Sequence, residues 1–453
     1  RPMTPPGRAA RTAREDEMRQ RNESDGGAGV TRRTFFLGSA AAMTPLVLGR
    51  RAGAAPIDDA IKVGLVGCGG RGTGAAAQAL QAPGNQVLTA VADVFAERCE
   101  RSLKNLEAHF GDAAAEKVRV DDACRFVGFD AYEKLLATDV DVVVLATPPH
   151  FRPAMLKAAI EAGKHVFCEK PVAVDAPGAR SVLETVEVAR EKKLSLVCGF
   201  CWRYNVKHRA FYEQLHAGRL GDVRAFYSTY NASPLRTSKR DPSWSEMEFQ
   251  LRNWQHFDWL SGDHVVEQAV HSLDKQAWTF GDAPPVSCVA VGGRQARFGE
   301  ETGNVYDHFG VTFDYAGGKK AFHMCRQMAN CATENNDYWY GSKGNGVING
   351  WANRFTIDGE TPWAYEGEGN DMYQQEHDEL FASIRGEGPY KNDGVWMTTS
   401  TMLAIMARMA AYTGQVITWE KAMASEERLG PDRYEWGDFA AQDVPVPGRT
   451  KFV

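Results

Sequence analysis

Short apolar runs alternate with longer amphipathic segments from residue 57 to residue 199. The runs at 61–66, 86–92, 140–146, 165–168 and 194–199 are nearly free of charge and rich in Val, Leu and Ala. Runs of that length and evenness predict parallel strands covered on both faces. Between them, residues 95–110, 132–136, 153–162 and 175–193 space their apolar positions as helices do. Strand and helix in regular alternation predict a parallel α/β domain. After residue 200 the rhythm changes. A helix is expected at 206–217, and 223–230, 286–292, 308–315 and 320–327 then alternate apolar with polar positions. Gly341-Ser-Lys-Gly344 reads as a hairpin turn. These features predict an α+β domain with a large, mainly antiparallel open sheet. Helices at 373–385 and 398–412 should pack back on the body, and a loosely ordered tail should follow Lys421. The resulting boundaries are 1–54, 57–199, 200–424 and 425–453.

The first strand runs into Gly67-x-Gly69-x-x-Gly72, and Ala75, Ala76, Ala77 and Ala79 then favour a helix. Strand, glycine turn and helix together form a phosphate cradle. Gly67 permits the tight turn, Gly69 lets a pyrophosphate approach the backbone, and Gly72 lets the helix pack on the strand. The helix start offers free N–H groups to the phosphates. Asp93 stands at the end of the second strand, where a carboxylate can accept hydrogen bonds from both adenosine ribose hydroxyls. It would repel a 2′-phosphate, so NAD is expected over NADP. The competing reading is a glycine loop without a ligand. Thr147, Pro148 and His150 fall at another strand's C-terminal end, where ligands bind in open α/β sheets.

Two places can carry chemistry. Lys170, in Cys168-Glu169-Lys170-Pro171, ends a buried strand close to where the nicotinamide should lie. In the segment 262–274, His264, Glu267, His271 and Asp274 recur at intervals that put four ionisable groups on one helix face. Valine, alanine and leucine fill the other positions, so this polar stripe should face partners, water or a cleft. Metal ligation by the stripe is conceivable chemistry, but no known metal motif matches and none is expected. Aromatic residues crowd the second half, and flat apolar faces beside polar groups suit sugars.

Composition narrows the classes. Hydrophobic residues at 43% and charged residues at 24% are ordinary for a soluble globular protein. The net charge of -6 is spread without blocks, so no nucleic-acid partner is expected. The 9 cysteines are irregularly spaced; Cys198-Gly-Phe-Cys201 has no second pair to make a metal site. Residues 1–30 lack periodicity and should be disordered, with translation starting at Met3 or Met18. Thr31-Arg32-Arg33-Thr34-Phe35-Phe36 with its apolar sequel resembles a twin-arginine export signal, and Ala52-Gly53-Ala54 fits its cleavage pattern. The twin-arginine translocase is then a partner, and the location is periplasmic or otherwise exported. The competing reading is a basic tail on a cytosolic enzyme. An exported protein that folds around NAD must hold it. With association near 10⁶ M⁻¹s⁻¹, a lifetime of hours needs a dissociation constant of about 0.1 nM. The mature protein is therefore expected to carry NAD, with Asp93 as part of the clamp. After cleavage only residues 55–60 would precede the first strand, too few for a covering arm.

The glycine turn, Ala146-Thr147-Pro148, Glu169-Lys170-Pro171, Gly199-Phe200 with Arg203-Tyr204, and His271-x-x-Asp274 occur in an order that resembles the Gfo/Idh/MocA oxidoreductases. The resemblance covers residues 61–420 and implies a Rossmann dinucleotide-binding domain followed by a substrate domain. It implies that Lys170 and His271 flank the substrate hydroxyl and the nicotinamide, with Glu267 where many members have aspartate. Arg152 replaces a usual histidine, with His150 close by. On this reading Gly67, Cys68, Gly69, Gly70, Arg71, Gly72, Asp93, Thr147, Pro148, His150, Glu169 and Lys170 bind the cofactor. Lys170, Trp202, Arg203, Tyr204, Glu267, His271 and Asp274 bind the substrate. The expected reaction is NAD-dependent oxidation of a secondary hydroxyl of a sugar, glycoside or cyclitol. The alternatives are glycoside cleavage through transient oxidation and re-reduction, and a non-catalytic sugar-binding protein. The resemblance also implies homo-oligomers joined through the second-domain sheet.

Overall fold

The computed structural model describes residues 60–350 and 352–453. The disordered region, the export signal and the short arm expected before residue 60 lie outside the described residues.

The apolar runs form one parallel sheet. Its strands are β1 (Ile61–Val66), β2 (Gln86–Asp93), β3 (Arg125–Val127), β4 (Val142–Leu145), β5 (His165–Cys168) and β6 (Leu196–Cys198). They lie in the order β3-β2-β1-β4-β5-β6. The order reverses between β1 and β4, and such a switch point opens a crevice beyond the strands' C-terminal ends. The helices Gly70–Gln81, Ala96–Phe110, Arg152–Glu161 and Ala176–Glu191 make the crossovers. All four residues of β4 are buried, as an uncharged VVVL run covered on both faces requires. Asp175 starts the last of these helices by accepting the Gly178 N–H at 2.8 Å.

The second sheet comprises β7 (Val223–Ala232), β8 (Ser287–Gly293), β9 (His308–Tyr315), β10 (Lys319–Gln327), β11 (Asn336–Gly341), β12 (Gly344–Asn349), β13 (Arg354–Gly359), β14 (Trp363–Ala364) and β15 (Ile417–Thr418). Their order is β14-β13-β12-β11-β7-β10-β9-β8-β15. Neighbours pair antiparallel except β10 with β7, which run parallel at the centre, so the sheet is mixed. The expected hairpin joins β11 to β12. Alternation along β9 buries every second residue, leaving one face on the core and the other open. The helices Val270–Thr279 and Gly394–Thr413 pack the buried face, and Met372–Arg385 lies against the helix Gly70–Gln81 of the first domain.

Two expectations fail here. The segment carrying His264 to Asp274 is not one helix. It is a short helix His264–Glu267 followed by Val270–Thr279. The Ala269 N–H reaches back five residues to the His264 carbonyl at 3.0 Å, an over-wide turn that rotates the second helix relative to the first. Asp263 fixes the entry. Its carboxylate accepts the Tyr306 N–H (2.7 Å) and the Tyr412 hydroxyl (2.6 Å), tying the helix start to the sheet and to the helix Gly394–Thr413. The four ionisable groups therefore share no face. The stretch after Met423 is also not loose. It lacks regular secondary structure but is pinned along the body, for example by Tyr306 donating to the Pro445 carbonyl at 2.8 Å.

Candidate active site

The glycine turn is sterically dictated. Gly67 has φ +95°, and a Cβ there would sit 2.6 Å from the Ala146 carbonyl carbon. A Cβ on Gly72 would lie 1.8 Å from the Gly67 oxygen. Gly69 differs: a Cβ there meets no protein atom within 4 Å, because it points into open space. That space is a cavity of about 400 Å³ lined by Gly67, Gly69, Gly70, Asp93, Thr147 and Pro148 among others. No side chain caps the start of the helix Gly70–Gln81. Its first N–H groups are thus left for an anion.

Asp93 closes the cavity's far side. Its Oδ2 accepts the Cys68 N–H at 2.7 Å and its Oδ1 the Phe95 N–H at 3.0 Å, leaving further lone pairs for ribose hydroxyls. Burial raises the Asp93 carboxyl above its ordinary value, and Arg98 works against that rise. Cys68 contributes its backbone only, since its buried thiol turns to the Ala92 carbonyl. His150, beyond Pro148, pairs its Nε2 with the Tyr434 hydroxyl at 2.7 Å, and burial lowers its imidazole to about 4. Its buried Nδ1 has no partner among the described residues. An uncapped helix start, a glycine facing open space, a carboxylate at the second strand's end and an orphaned imidazole nitrogen fit a dinucleotide.

A second group lies beyond β5. The Lys170 Nζ donates to the Glu267 carbonyl at 2.5 Å and lies 3.5 Å from Glu267 Oε1. Both side chains are only 12% exposed. His271 is on the next turn, and its Nδ1 and Glu267 Oε2 are buried without partners among the described residues. Burial, with Lys170, Lys275 and Arg71 adding to it, pushes the His271 imidazole well below its ordinary value. It is therefore neutral and able to accept a proton. Arg71 links the two regions. It lines the cavity and pairs with Glu169 and, at 3.1 Å, with Glu376. Burial acts to raise the Glu169 carboxyl, but Arg71, Arg152 and Lys170 outweigh it and hold it low. Glu169 thus orients Arg71 rather than lining the cavity, and Gly199 makes room for it: a Cβ there would be 2.6 Å from Glu169 Oε2. Arg152 is buried and donates to the Pro171 carbonyl at 2.6 Å.

Four residues expected at the substrate turn elsewhere. Arg203 is buried between Asp274 (2.8 Å) and Asp282, over the Trp396 ring. Asp274 also accepts the Ser400 hydroxyl at 2.8 Å. Tyr204 donates to Asp393 at 2.5 Å inside the core. These contacts satisfy the Arg203 guanidinium and the Tyr204 hydroxyl, as burial demands, whereas Asp274 Oδ2 is buried without a partner among the described residues. Trp202 lies tilted against His208, 4.6 Å between ring centroids, and 5.5 Å from the Lys275 Nζ. His264 turns its Nδ1 to Asp263 and the Tyr306 carbonyl. The structure instead reveals residues that sequence patterning passed over. Glu376 braces Arg71. Lys275 forms a buried pair with Asp337 at 2.5 Å, one turn beyond His271. Tyr434 lines the cavity from the tail. Only Lys275 had a signal, a cation directly after Asp274 on a helix that is otherwise largely apolar.

Residues 61–200 match the model described as "Oxidoreductase family, NAD-binding Rossmann fold", and residues 208–360 match the "GFO/IDH/MocA C-terminal domain". Inositol 2-dehydrogenase of Rhizobium meliloti is 28% identical over 63% of this chain and 74% of its own length. Other curated relatives are matched over about half of their length. Among solved structures, levoglucosan dehydrogenase in complex with NADH and levoglucosan is similar at TM-score 0.62 and 16% identity, covering 80% of this chain and 99% of that one. A 3-ketoreductase from Actinomadura kijaniata in complex with NADP and TDP-benzene is similar at TM-score 0.59 and 21% identity, covering 78% and 98%. At these identities the two structures support the fold.

Proposed function

Because the chain belongs to the Gfo/Idh/MocA family of oxidoreductases, we propose that it oxidises a secondary hydroxyl of a sugar, glycoside or cyclitol with NAD. The observation that carries this reading is the Lys170–Glu267 contact between the two domains, beside a neutral His271 and joined to the glycine cradle through Arg71. The dinucleotide, held by the backbone at 67–72 and by Asp93, supplies the hydride acceptor. His271 takes the hydroxyl proton as general base. Lys170 keeps at least one N–H free of Glu267 to donate to the substrate oxygen, and its charge favours the alkoxide that develops. Glu267 orients Lys170 and presents an unpaired oxygen to a neighbouring hydroxyl.

Preference for NAD rests on the buried Asp93, whose charge disfavours a 2′-phosphate. Export through the twin-arginine pathway rests on Arg32-Arg33 and Phe35-Phe36. Assembly of copies rests on the open sheet face, where Val289, Val291, Phe322 and Met324 are exposed.

The test is incubation with a panel of cyclitols, sugars and aryl glycosides, following NADH absorbance and released aglycone together. Stoichiometric NADH is expected. Aglycone release without NADH would replace this reading by an internal oxidation–reduction cycle.

A further inference from the structure

The dinucleotide cavity has a wall that lies beyond both family matches, which end at residue 360. The segment 429–439 contributes Tyr434 to its lining. Gly430 has φ +95°, and a Cβ there would lie 2.7 Å from His150 Cε1 and 2.9 Å from Trp259 Cε3. Glycine lets the chain run this close. Tyr434 then sets its ring edge-on to Phe151 at 5.3 Å and near-parallel to Phe129 at 6.0 Å, its hydroxyl on His150. Trp436 packs on Phe129 at 5.0 Å and on Phe95 at 5.6 Å. Both ends are tied down. The Leu429 N–H donates to Asp175 (3.1 Å), the Met247 N–H to the Gly437 carbonyl (3.1 Å) and the Gln250 amide to the Phe439 carbonyl (2.6 Å).

The position of these aromatics is informative. Phe95 follows the end of β2, two residues past Asp93, and Phe129 follows the end of β3. They mark the side of the cavity beyond the ribose-binding carboxylate, where the adenosine half of a dinucleotide belongs. Tyr434, which lines the cavity, keeps 42% of its surface exposed, and Trp436, on the same Phe129 ring, keeps 47%, although both are anchored by their neighbours. Large aromatic faces left open beside a cavity are what a planar base covers.

We propose that residues 429–439 form a strap across the adenosine half of the dinucleotide site, with Tyr434 contacting the cofactor, and that this strap slows cofactor release. The strap depends on the proposed dinucleotide function of the cavity.

The test uses the full chain and measures NAD and ADP-ribose binding by calorimetry and displacement kinetics. Tyr434→Ala should release NAD about 10-fold faster or more, the size of effect seen when an aromatic stacked on a base is removed. It should weaken ADP-ribose by the same factor, because the contact lies on the adenosine side. Trp436→Ala should act in the same direction and less strongly. If Tyr434→Ala does not fold, Tyr434→Leu probes the same contact. Wild-type protein that binds neither ligand would overturn the dinucleotide reading itself. Wild-type protein that binds both, with a folded Tyr434 variant of unchanged or tighter affinity, would overturn the strap alone.

Discussion

On the proposed function the cradle and the lysine–glutamate pair serve one site, and different physics holds each. At the cradle the working groups are backbone N–H groups within six consecutive positions, fixed by Gly67 and Gly72, whose Cβ atoms would collide with the chain. At the pair, Lys170 and Glu267 are 97 positions apart and come from two domains. Local sterics secure the first. The second depends on the domains staying docked, which Arg71 with Glu169 and Glu376 helps enforce. Function and stability should therefore separate at the pair and merge in the buried network behind it.

Lys170→Ala gives the largest separation. It removes a donor to the developing oxyanion and should lower kcat by about 10²–10³-fold. The melting temperature should fall less than in a variant of the buried network, since the lysine's short contact is to one backbone carbonyl and its carboxylate contact is long, at 3.5 Å. His271→Ala should match it in direction, by about 10²–10⁴-fold. Wild-type-like rates in either variant would remove that residue from the mechanism. Asp274→Ala is the counterpart. It leaves buried Arg203 short of a carboxylate and should cost about 3–5 kcal/mol of stability, as breaking a buried pair does. Equilibrium unfolding in urea measures it. A folded, fully stable Asp274→Ala protein with a specific defect in substrate KM would restore Asp274 to the substrate site.

A milder contrast lies inside the cradle. Gly69 has φ -71°, ordinary for alanine, and open space where a Cβ would go. Gly69→Ala should keep the protein's stability within about 0.5 kcal/mol, yet weaken NAD about 10-fold by holding the pyrophosphate off the backbone. Gly72→Ala should instead destabilise the fold, because its Cβ would strike the Gly67 oxygen. Equal behaviour of the two variants in thermal unfolding would contradict the geometry.

The same contrast explains what the residues disclosed before any coordinates. The glycine turn and Asp93 were legible because each acts through local geometry: a turn, a strand end, a fixed spacing. The open alternation of β9 and β10 disclosed the second sheet, but not the parallel β10–β7 pair, since alternation carries no direction. The ionisable series from His264 to Asp274 misled for a physical reason. Helical spacing holds only while the helix is unbroken; here it breaks at Ala269, and the entry is anchored by Asp263 bonding to Tyr306 and Tyr412, 43 and 149 positions away. Arg203, Tyr204 and Asp274 carry chemistry-capable side chains, yet only their partners Asp282, Ser400 and Asp393 show that they face inward. Tyr434 lay in a stretch without periodicity, where no pattern could place it.

The smallest effect bears most directly on what His271 does. Its ordinary value is near 6.5, and burial with three cations around it, Lys170, Lys275 and Arg71, carries it well below that. Both influences disfavour imidazolium, so the base form is complete at neutral pH and is lost only as pH falls through the lowered value. The acid limb of kcat/KM for alcohol oxidation should accordingly lie below pH 6.5, with the rate flat above it until another group intervenes. Removing one of those cations should let the proton bind more readily. In Lys170→Met the residual activity should show its acid limb moved upward, toward 6.5. A wild-type limb above 6.5, or one that stays in place when Lys170 loses its charge, would mean that the group titrating in the reaction is not His271.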